Sequence, residues 1–454
     1  MNNQKQELRY QELTTAPVRG LVLKMAVPTI IGMLVNSIYS ITDTFFVSML
    51  GDTEKTASVG IIFSFVSLIQ AVGFLFGHGS GNYMSRQLGK KNVEEAQKMA
   101  SLGFFTSVIC GVVIMAAGLV FSHSLVTVLG GGVNENLREN CTGYLCAVLC
   151  CVPFMTGAFT LNSQLRLQGN AKDGMIGMIL GMVVNMLLDP ILILGGKMGV
   201  LGAGIATAVG QVLSFLVLVY LCARHGNIGP SLREFSFSKE RLTQIFGGGM
   251  PNFIRQGITS VAGISLNQAA GAYGGEAIAA FTVTYRVFWI VYAVVIGFGQ
   301  GFQPVCGYNY GAGKIARVRE AFFFCVRSAT VFLLVMAVAV FFGAERIISC
   351  FSADRDVVAM GVKILKFQSF SMPFLAYYIL AGMLFQNIGK FFAATIETAM
   401  RQGIFYIPLI FLLPACMGFD GVVLAQPVSD VLSFLCAVFM GIWMFRKNLS
   451  KTMV

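Results

Sequence analysis

The chain has 454 residues, of which 56% are hydrophobic and only 12% charged, with 32 Lys and Arg against 21 Asp and Glu for a net charge of +11. About a quarter of a soluble domain is charged, so this composition excludes a soluble globular enzyme. The 11 Cys are odd in number, include no CxxC pair and accompany only three His, which excludes a disulfide framework and a zinc site.

Apolar stretches of about 18 residues or more with few charges mark membrane crossings, and twelve follow one another along the chain. The first six are Met25 to Leu50 carrying Asp43, Ala57 to Ser85, Met99 to Ser122, Asn140 to Leu165, Gly174 to Gly195 carrying Asp189, and Met198 to Ala223. The second six are Gln256 to Gly275, Val287 to Gly313, Ala321 to Phe342 carrying Arg327, Phe367 to Gly389, Gln402 to Phe419, and Gly421 to Phe445 carrying Asp430. No connection is much longer than about twenty residues, so nothing of domain size stands outside the spans. The first 20 residues are polar and the first span is too long for a signal h-region, so no cleaved signal peptide is expected. With the N-terminus in the cytoplasm, 23 of the 32 basic residues fall on that side, seven on the other, and Arg255 and Arg286 within spans. That asymmetry follows the positive-inside rule and places both termini in the cytoplasm of a multi-pass protein of the cell membrane. The charge is a topology signal, and no nucleic-acid partner is implied.

The chain repeats itself. The stretch from Gly199, GVLGAGIATAVGQVLSFL, matches GFDGVVLAQPVSDVLSFL from Gly418 at an offset of 219. Pro28 pairs with Pro251, Gly77 and Gly79 with Gly299 and Gly301, Gly89 with Gly311, and Gly169 with Gly389, at offsets of 220 to 223. The expected fold is therefore all-α and polytopic, with a first six-helix lobe over 1–223, a cytoplasmic linker over 224–244 and a second lobe over 245–454. Because six is even, both lobes cross the membrane in the same sense, the parallel repeat of transporters whose substrate site lies between the halves. No nucleotide motif supplies energy: Gly311-Ala312-Gly313-Lys314 lacks Walker spacing, and Ile315 stands where a magnesium-binding hydroxyl belongs. Uphill transport then needs an ion gradient and no cofactor.

A charge inside a span costs about 2.5 to 3.5 kcal/mol on insertion scales, so each such residue is a functional candidate. Asp43 has Tyr39 one turn before it, and Asp189 has Asn185 one turn before it, each on the same helix face. Asp189 also precedes Pro190, which disfavours helical geometry there and frees carbonyls to face a cation. The alternative is that these acids cap helix irregularities or pair with an Arg. Arg286 and Asp430, opposite in sign, either pair or leave Arg286 to contact substrate. Arg255 and Arg401 read as snorkelling residues near cytoplasmic ends, and His78 as a packing residue rather than a proton relay.

The P-x14-D-x-x-F-V pattern of the first span, L-R-L-Q-G-N-A after the fourth, N-x3-D-P on the fifth, G-V-x-G-A-G-I-A-T on the sixth, F-Q-N-I-G-K at 385 to 390 and P-V-S-D at 427 to 430 resemble the MATE family of multidrug and toxic compound extrusion transporters. The likeness runs over essentially the whole chain. It implies a twelve-helix, two-lobe antiporter exporting small cationic lipophilic compounds in exchange for protons, sodium or both. In the branch with a first-lobe cation site, the matching positions are Tyr39, Asp43, Asn162, Asn185, Asp189 and Thr207, with a sodium ion expected at Asp43, Asn185 and Asp189 if sodium is the coupling ion. The other branch uses acids inside helices 7 and 10; here neither helix has one, because Glu276 lies at a connection and Asp430 on helix 12.

Two carboxylates in a poorly solvated pocket raise each other's proton affinity, so protonation from outside would release a held cation, and bending about Pro28 would pass the change to the central cleft. The rival expectation is a lipid-linked saccharide flippase of the same superfamily, which tends towards fourteen helices and a strongly cationic cavity. A membrane-embedded enzyme is not expected, since no HExxH or nucleophile elbow is present. The chain is expected to act as a monomer among membrane lipids.

Overall fold

The computed structural model describes residues 2–49, 52–132, 134–352 and 354–447, apart from the side chains of 2, 3, 40, 41, 43, 44, 48, 53 and 447. Among the described residues there are helices and turns and no strand. A polar helix α1 (Asn2–Thr15) precedes the first six crossings. These are α2 (Val18–Ser48), α3 (Thr53–Gly89), α4 (Val93–Val120) with a short α5 (Ser122–Val126), α6 (Glu135–Leu167), α7 (Ala171–Pro190) and α8 (Gly199–Cys222). The second six are α9 (Lys239–Gly271), α10 (Gly275–Gly311), α11 (Ile315–Ser349), α12 (Arg355–Ser371) continued by α13 (Leu375–Asn387), α14 (Phe391–Ala399) continued by α15 (Tyr406–Met417), and α16 (Phe419–Lys447).

Short polar side chains start several of these helices by accepting from otherwise unpaired first-turn amides. Asp52 accepts from Glu54 N at 3.0 Å, Asn92 from Glu95 N at 3.1 Å and Asn134 from Leu137 N at 2.8 Å. Eleven helical stretches among the described residues are long and apolar enough to cross a membrane. The remaining predicted crossing, α9, has the length, but Asn252, Arg255, Gln256, Asn267 and Gln268 dilute its apolar character. The outer surface is apolar, with Phe342, Phe392 and Phe439 exposed. That surface suits lipid.

Several crossings begin well before their apolar stretches, α9 at Lys239, α10 at Gly275 and α12 at Arg355, and two further differences bear on the site. The chain does not leave helical geometry at Asp189: α7 runs through Pro190 (φ −63°) and only then widens into an i→i+5 turn over Ile191–Gly195. The eleventh crossing begins at Phe391 rather than Gln402, so Glu397 and Arg401 lie inside it, with a second wide turn over Met400–Phe405.

The repeat recurs in the backbone. Left-handed residues fall at matching places, Lys91 (φ 61°) with Gly313 (φ 72°), Gly169 (89°) with Gly389 (81°), and Gly199 (55°) with Gly418 (61°). The apolar cores are arranged unequally along the membrane normal. Near the Asp52 and Asp354 ends each half has its own core, around Ile62, Leu145 and Val200 in one and Ala277, Ile364 and Val422 in the other. At the opposite, basic end one continuous core joins the halves through Val22, Met84, Phe302 and Phe385. The halves thus meet at the basic end and part toward the other.

That joint is made by backbone. A Cβ on Gly89 would lie 2.9 Å from Gly311 Cα, and one on Gly311 3.0 Å from Gly89 Cα. Cβ atoms on Gly79, Gly249 and Gly301 would collide with Ile245, Leu75 and Ala26 main chain. Beside the last contact, the Thr29 hydroxyl donates to the Gly297 carbonyl at 2.6 Å. Helix α1 lies across the joint: Asn309 and Lys314 of the second half donate to its Leu13 and Thr14 carbonyls, each at 2.9 Å, while its Arg9 donates to Asn227 Oδ1 at 3.0 Å.

Gly249→Ala should place a methyl group against the Leu75 carbonyl, an overpacking of about 1–3 kcal/mol, and shift the equilibrium away from this closed arrangement by about fivefold or more. Cys306, fully buried in the joint, should then react faster with N-ethylmaleimide in peptide mass spectrometry. Labelling at the wild-type rate would show that the joint does not depend on this contact.

Candidate functional site

Three of the residues singled out in the first half surround one small cavity. Tyr39 of α2, Asn185 of α7 and Thr207 of α8 line a space of about 250 Å³ together with Gln211, Ser214 and glycines of α7 and α8. Asn185 Nδ2 donates to the Thr207 hydroxyl at 3.2 Å. Asp189, one turn further along α7, is fully buried. The side chain of Asp43 lies outside the described residues. Asn162 does not line this cavity; its amide donates to the Gly174 carbonyl at 2.8 Å and ties α6 to α7.

Two oxygens give the cavity its character. Asn185 Oδ1 and Gln211 Oε1 are buried acceptors with no hydrogen-bond partner among the described residues. Unpaired buried acceptors are costly, and an oxygen-lined space is what a hard cation or a water needs. Gln211 did not emerge from the sequence, although it stands four residues after Thr207 on the same face of α8, the spacing that singled out Tyr39 and Asn185.

A larger cleft of about 670 Å³ lies between the halves. Its walls come mostly from the second half, with Arg255 of α9, Tyr292 of α10, Tyr378 and Met383 of α13, and Glu397 of α14, and from the first half His78. His78 is held by Arg166, whose Nη2 reaches its Nε2 at 2.9 Å while Nη1 donates to Gln303 Oε1 at 2.6 Å. An arginine only donates, so His78 Nε2 accepts and its ring hydrogen sits on Nδ1, 3.3 Å from the Phe74 carbonyl. A neutral packing histidine results, as the sequence suggested. Gln386 continues the belt by donating to the Gly248 carbonyl at 2.6 Å, so the floor of the cleft is a polar seam behind the glycine joint.

The second-half charges are arranged differently from the sequence expectation. Asp430 does not pair with Arg286, which is exposed on α10 away from the cleft. Its partner is Arg401, whose Nε donates to Asp430 Oδ1 at 2.7 Å. Gln426 donates to the same oxygen at 2.7 Å and Ser371 to the other at 2.8 Å, so both carboxylate oxygens are engaged. Arg401 therefore does not snorkel. It is buried, with its guanidinium 5.7 Å from the Phe288 ring centre and 5.3 Å from that of Tyr292. Arg255 is half-buried on the cleft wall. By the repeat offsets, Arg401 corresponds to Gly181 and Asp430 to Gln211. In the first half α7 and α8 meet there glycine on glycine, a Cβ on Gly210 falling 2.7 Å from the Gly181 carbonyl oxygen. The second half has Ser429 in the place of Gly210, its hydroxyl donating to the Arg401 carbonyl, and adds an ion pair beside it where Gln211 stands in the first.

Two helical halves related by a repeat, joined at one end and parted at the other around a polar cleft, define a membrane transporter. The sequence model of the MatE family matches residues 28–191 and 251–412, two stretches that open on the paired Pro28 and Pro251. The chain belongs to this family, the MATE family, whose members are transporters and not enzymes. Similar curated proteins include the multidrug export protein MepA of Staphylococcus aureus strain MSSA476, 29% identical over 438 residues and 96% of each chain, and MepA of Staphylococcus saprophyticus, 29% identical over 448 residues and 98% of each chain. Among solved structures, a MATE transporter crystallised in complex with MaL6 superposes with a TM-score of 0.91 at 24% identity over 98% of both chains. An outward-facing multidrug resistance MATE transporter superposes with a TM-score of 0.90, also at 24% identity over 98% of both. At that identity these likenesses carry the fold.

Removing one member of a buried ion pair costs about 3–5 kcal/mol, whereas replacing both is far milder. Asp430→Asn should lower the melting temperature of the purified protein sharply, and Arg401→Leu combined with Asp430→Leu should recover much of the loss. A single variant melting like wild type would contradict a structural pair.

Proposed function

We propose that the chain is a multidrug efflux antiporter of the cell membrane, exporting small cationic lipophilic compounds in exchange for protons, sodium or both by alternating access. The observation that carries the ion-coupling part is the first-half cavity, where the unpartnered oxygens of Asn185 and Gln211 face Tyr39 and Thr207 one helical turn from the buried Asp189. The multidrug export named for the MepA relatives supports the cargo class. The basic joint faces the cytoplasm on the positive-inside rule, so the cleft opens outward and both termini are cytoplasmic.

In this reading Asp43 and Asp189 hold a cation together with Tyr39, Asn185 and Thr207, and protonation from outside removes the charge that holds it. The conformational link runs along α2. Thr29 pins the helix to α10 at the joint, and the adjacent Pro28 removes one backbone hydrogen bond, so bending there moves the outer stretch that carries Tyr39 and Asp43. Each unit charge entering down a membrane potential contributes about 2.3 kcal/mol per 100 mV, enough for a concentration ratio of about fifty. A flippase would favour a strongly cationic cleft. Here Arg401 is offset by Asp430, and Glu397 shares the wall with Arg255, which favours export of cations.

Ethidium efflux from proteoliposomes, driven first by a pH gradient alone and then by a sodium gradient alone, identifies the coupling ion. Asp189→Asn should fold and insert normally and reduce gradient-driven efflux to the passive leak. Wild-type efflux in that variant would remove Asp189 from the coupling mechanism, and efflux under neither gradient would remove the antiporter reading.

A further inference from the structure

The ion-coupling reading leaves one buried carboxylate of the second half unused. Glu397 is only 2% exposed and lines the central cleft, and its Oε1 has no hydrogen-bond partner among the described residues. Its neighbour Asp430, by contrast, takes three donors, one of them the Arg401 guanidinium. Space for the Glu397 carboxylate is built in, because a Cβ on Gly382 of α13 would collide with Oε2. The Tyr378 hydroxyl donates to the Glu397 and Thr398 carbonyls at 2.9 and 3.2 Å, fixing the main chain behind the acid while its ring lines the same cleft as Tyr292 and Met383.

A carboxylate in a water-poor, aromatic space is stable as an anion only with a positive partner, and aromatic faces beside it add to the attraction for a weakly hydrated cation. The charged and titratable groups around it are few. Arg401 is neutralised by Asp430, and neutral His78 accepts from Arg166. Arg255 is half-buried on the same wall and forms no ion pair within 4 Å with Glu397. We propose that Glu397 is the anion that receives the positive group of an aromatic lipophilic cargo between Tyr292 and Tyr378, with Arg255 as the competing charge that the cargo supplants. This site is separate from the first-half cavity and rests on the efflux reading above.

Binding of tetraphenylphosphonium to the purified full-length protein tests it. A charge-assisted contact of this kind predicts that Glu397→Gln weakens the cation by about tenfold or more. A neutral dye of similar size, N-phenyl-1-naphthylamine, should change by less than about twofold, since area burial is kept. Arg255→Gln should bind the cation at least as tightly as wild type. If Glu397 served only as a structural partner of Arg255, both variants would weaken cation and neutral dye alike, and that result overturns the inference. If Glu397→Gln does not fold, wild-type protein labelled with dicyclohexylcarbodiimide answers instead. Tetraphenylphosphonium should shield Glu397 in peptide mass spectrometry where the neutral dye does not, and equal labelling with both overturns the proposal. The two readings fail separately. Wild-type protein that neither binds nor exports the cation defeats the efflux function, whereas a Glu397→Gln variant that binds as wild type defeats only the assignment of the anchor.

Discussion

The structure depends on backbone touching backbone between its halves. At Gly89 and Gly311, Gly79 and Ile245, Gly249 and Leu75, and Gly301 and Ala26, no side chain intervenes, and the helices approach as closely as main chains permit. Such contact has little hydrophobic driving force in a lipid setting, where tails are as apolar as leucine, and draws on dispersion and on polar groups that find partners across it. The seam of Arg166, Gln303 and Gln386 behind the glycines supplies those partners. The glycine contacts themselves can part without disengaging side chains, whereas the buried core around Met84 and Phe302 and the Arg166 to Gln303 bond must be given up when the joint opens.

Behind the joint, buried polar groups fall into two classes. Arg401 with Asp430 and Arg166 with His78 and Gln303 have their main hydrogen-bonding demands met and hold helices together. Asn185, Gln211 and Glu397 each keep an acceptor oxygen with no partner among the described residues and line the cavity or the cleft, unlike other such acceptors as Gln164 and Asn387. Since a low-dielectric interior penalises an unmet polar group heavily, the second class marks where ligands and ions are expected, and it divides between a cavity in the first half and a cleft facing the second.

Much of this was legible in the sequence. The crossings and the repeat are read from composition and spacing and the family from motif resemblance, which also grouped Tyr39, Asn185 and Thr207, three residues that line one cavity. What was not legible has a common cause. Lys390, Glu397 and Arg401 made 390–401 look like a loop, because hydropathy counts a charge without seeing that Asp430, 29 residues away, cancels it. Arg166 counted as a topology marker although its partners His78 and Gln303, 88 and 137 positions distant, bury it. Asn162 was placed in a cation site by analogy, and its short-range bond to Gly174 is a local choice that no motif encodes. Spacing reveals what shares a helix face and is silent on what crosses between helices.

The second half carries Arg401 and Asp430 where the first carries Gly181 and Gln211, and this makes the two halves mechanically unlike. Where Gly181 and Gly210 touch, α7 and α8 are held by the neutral bonds of Asn185 to Thr207 and Ser214 to Gly177, whereas a guanidinium clasped to a carboxylate that takes two further donors must surrender charged, directional bonds before its helices shift. Duplicated architecture has thus yielded a compliant leaf and a stiff one. A deformation of the bundle is then taken up by the compliant leaf, while the stiff leaf holds its shape.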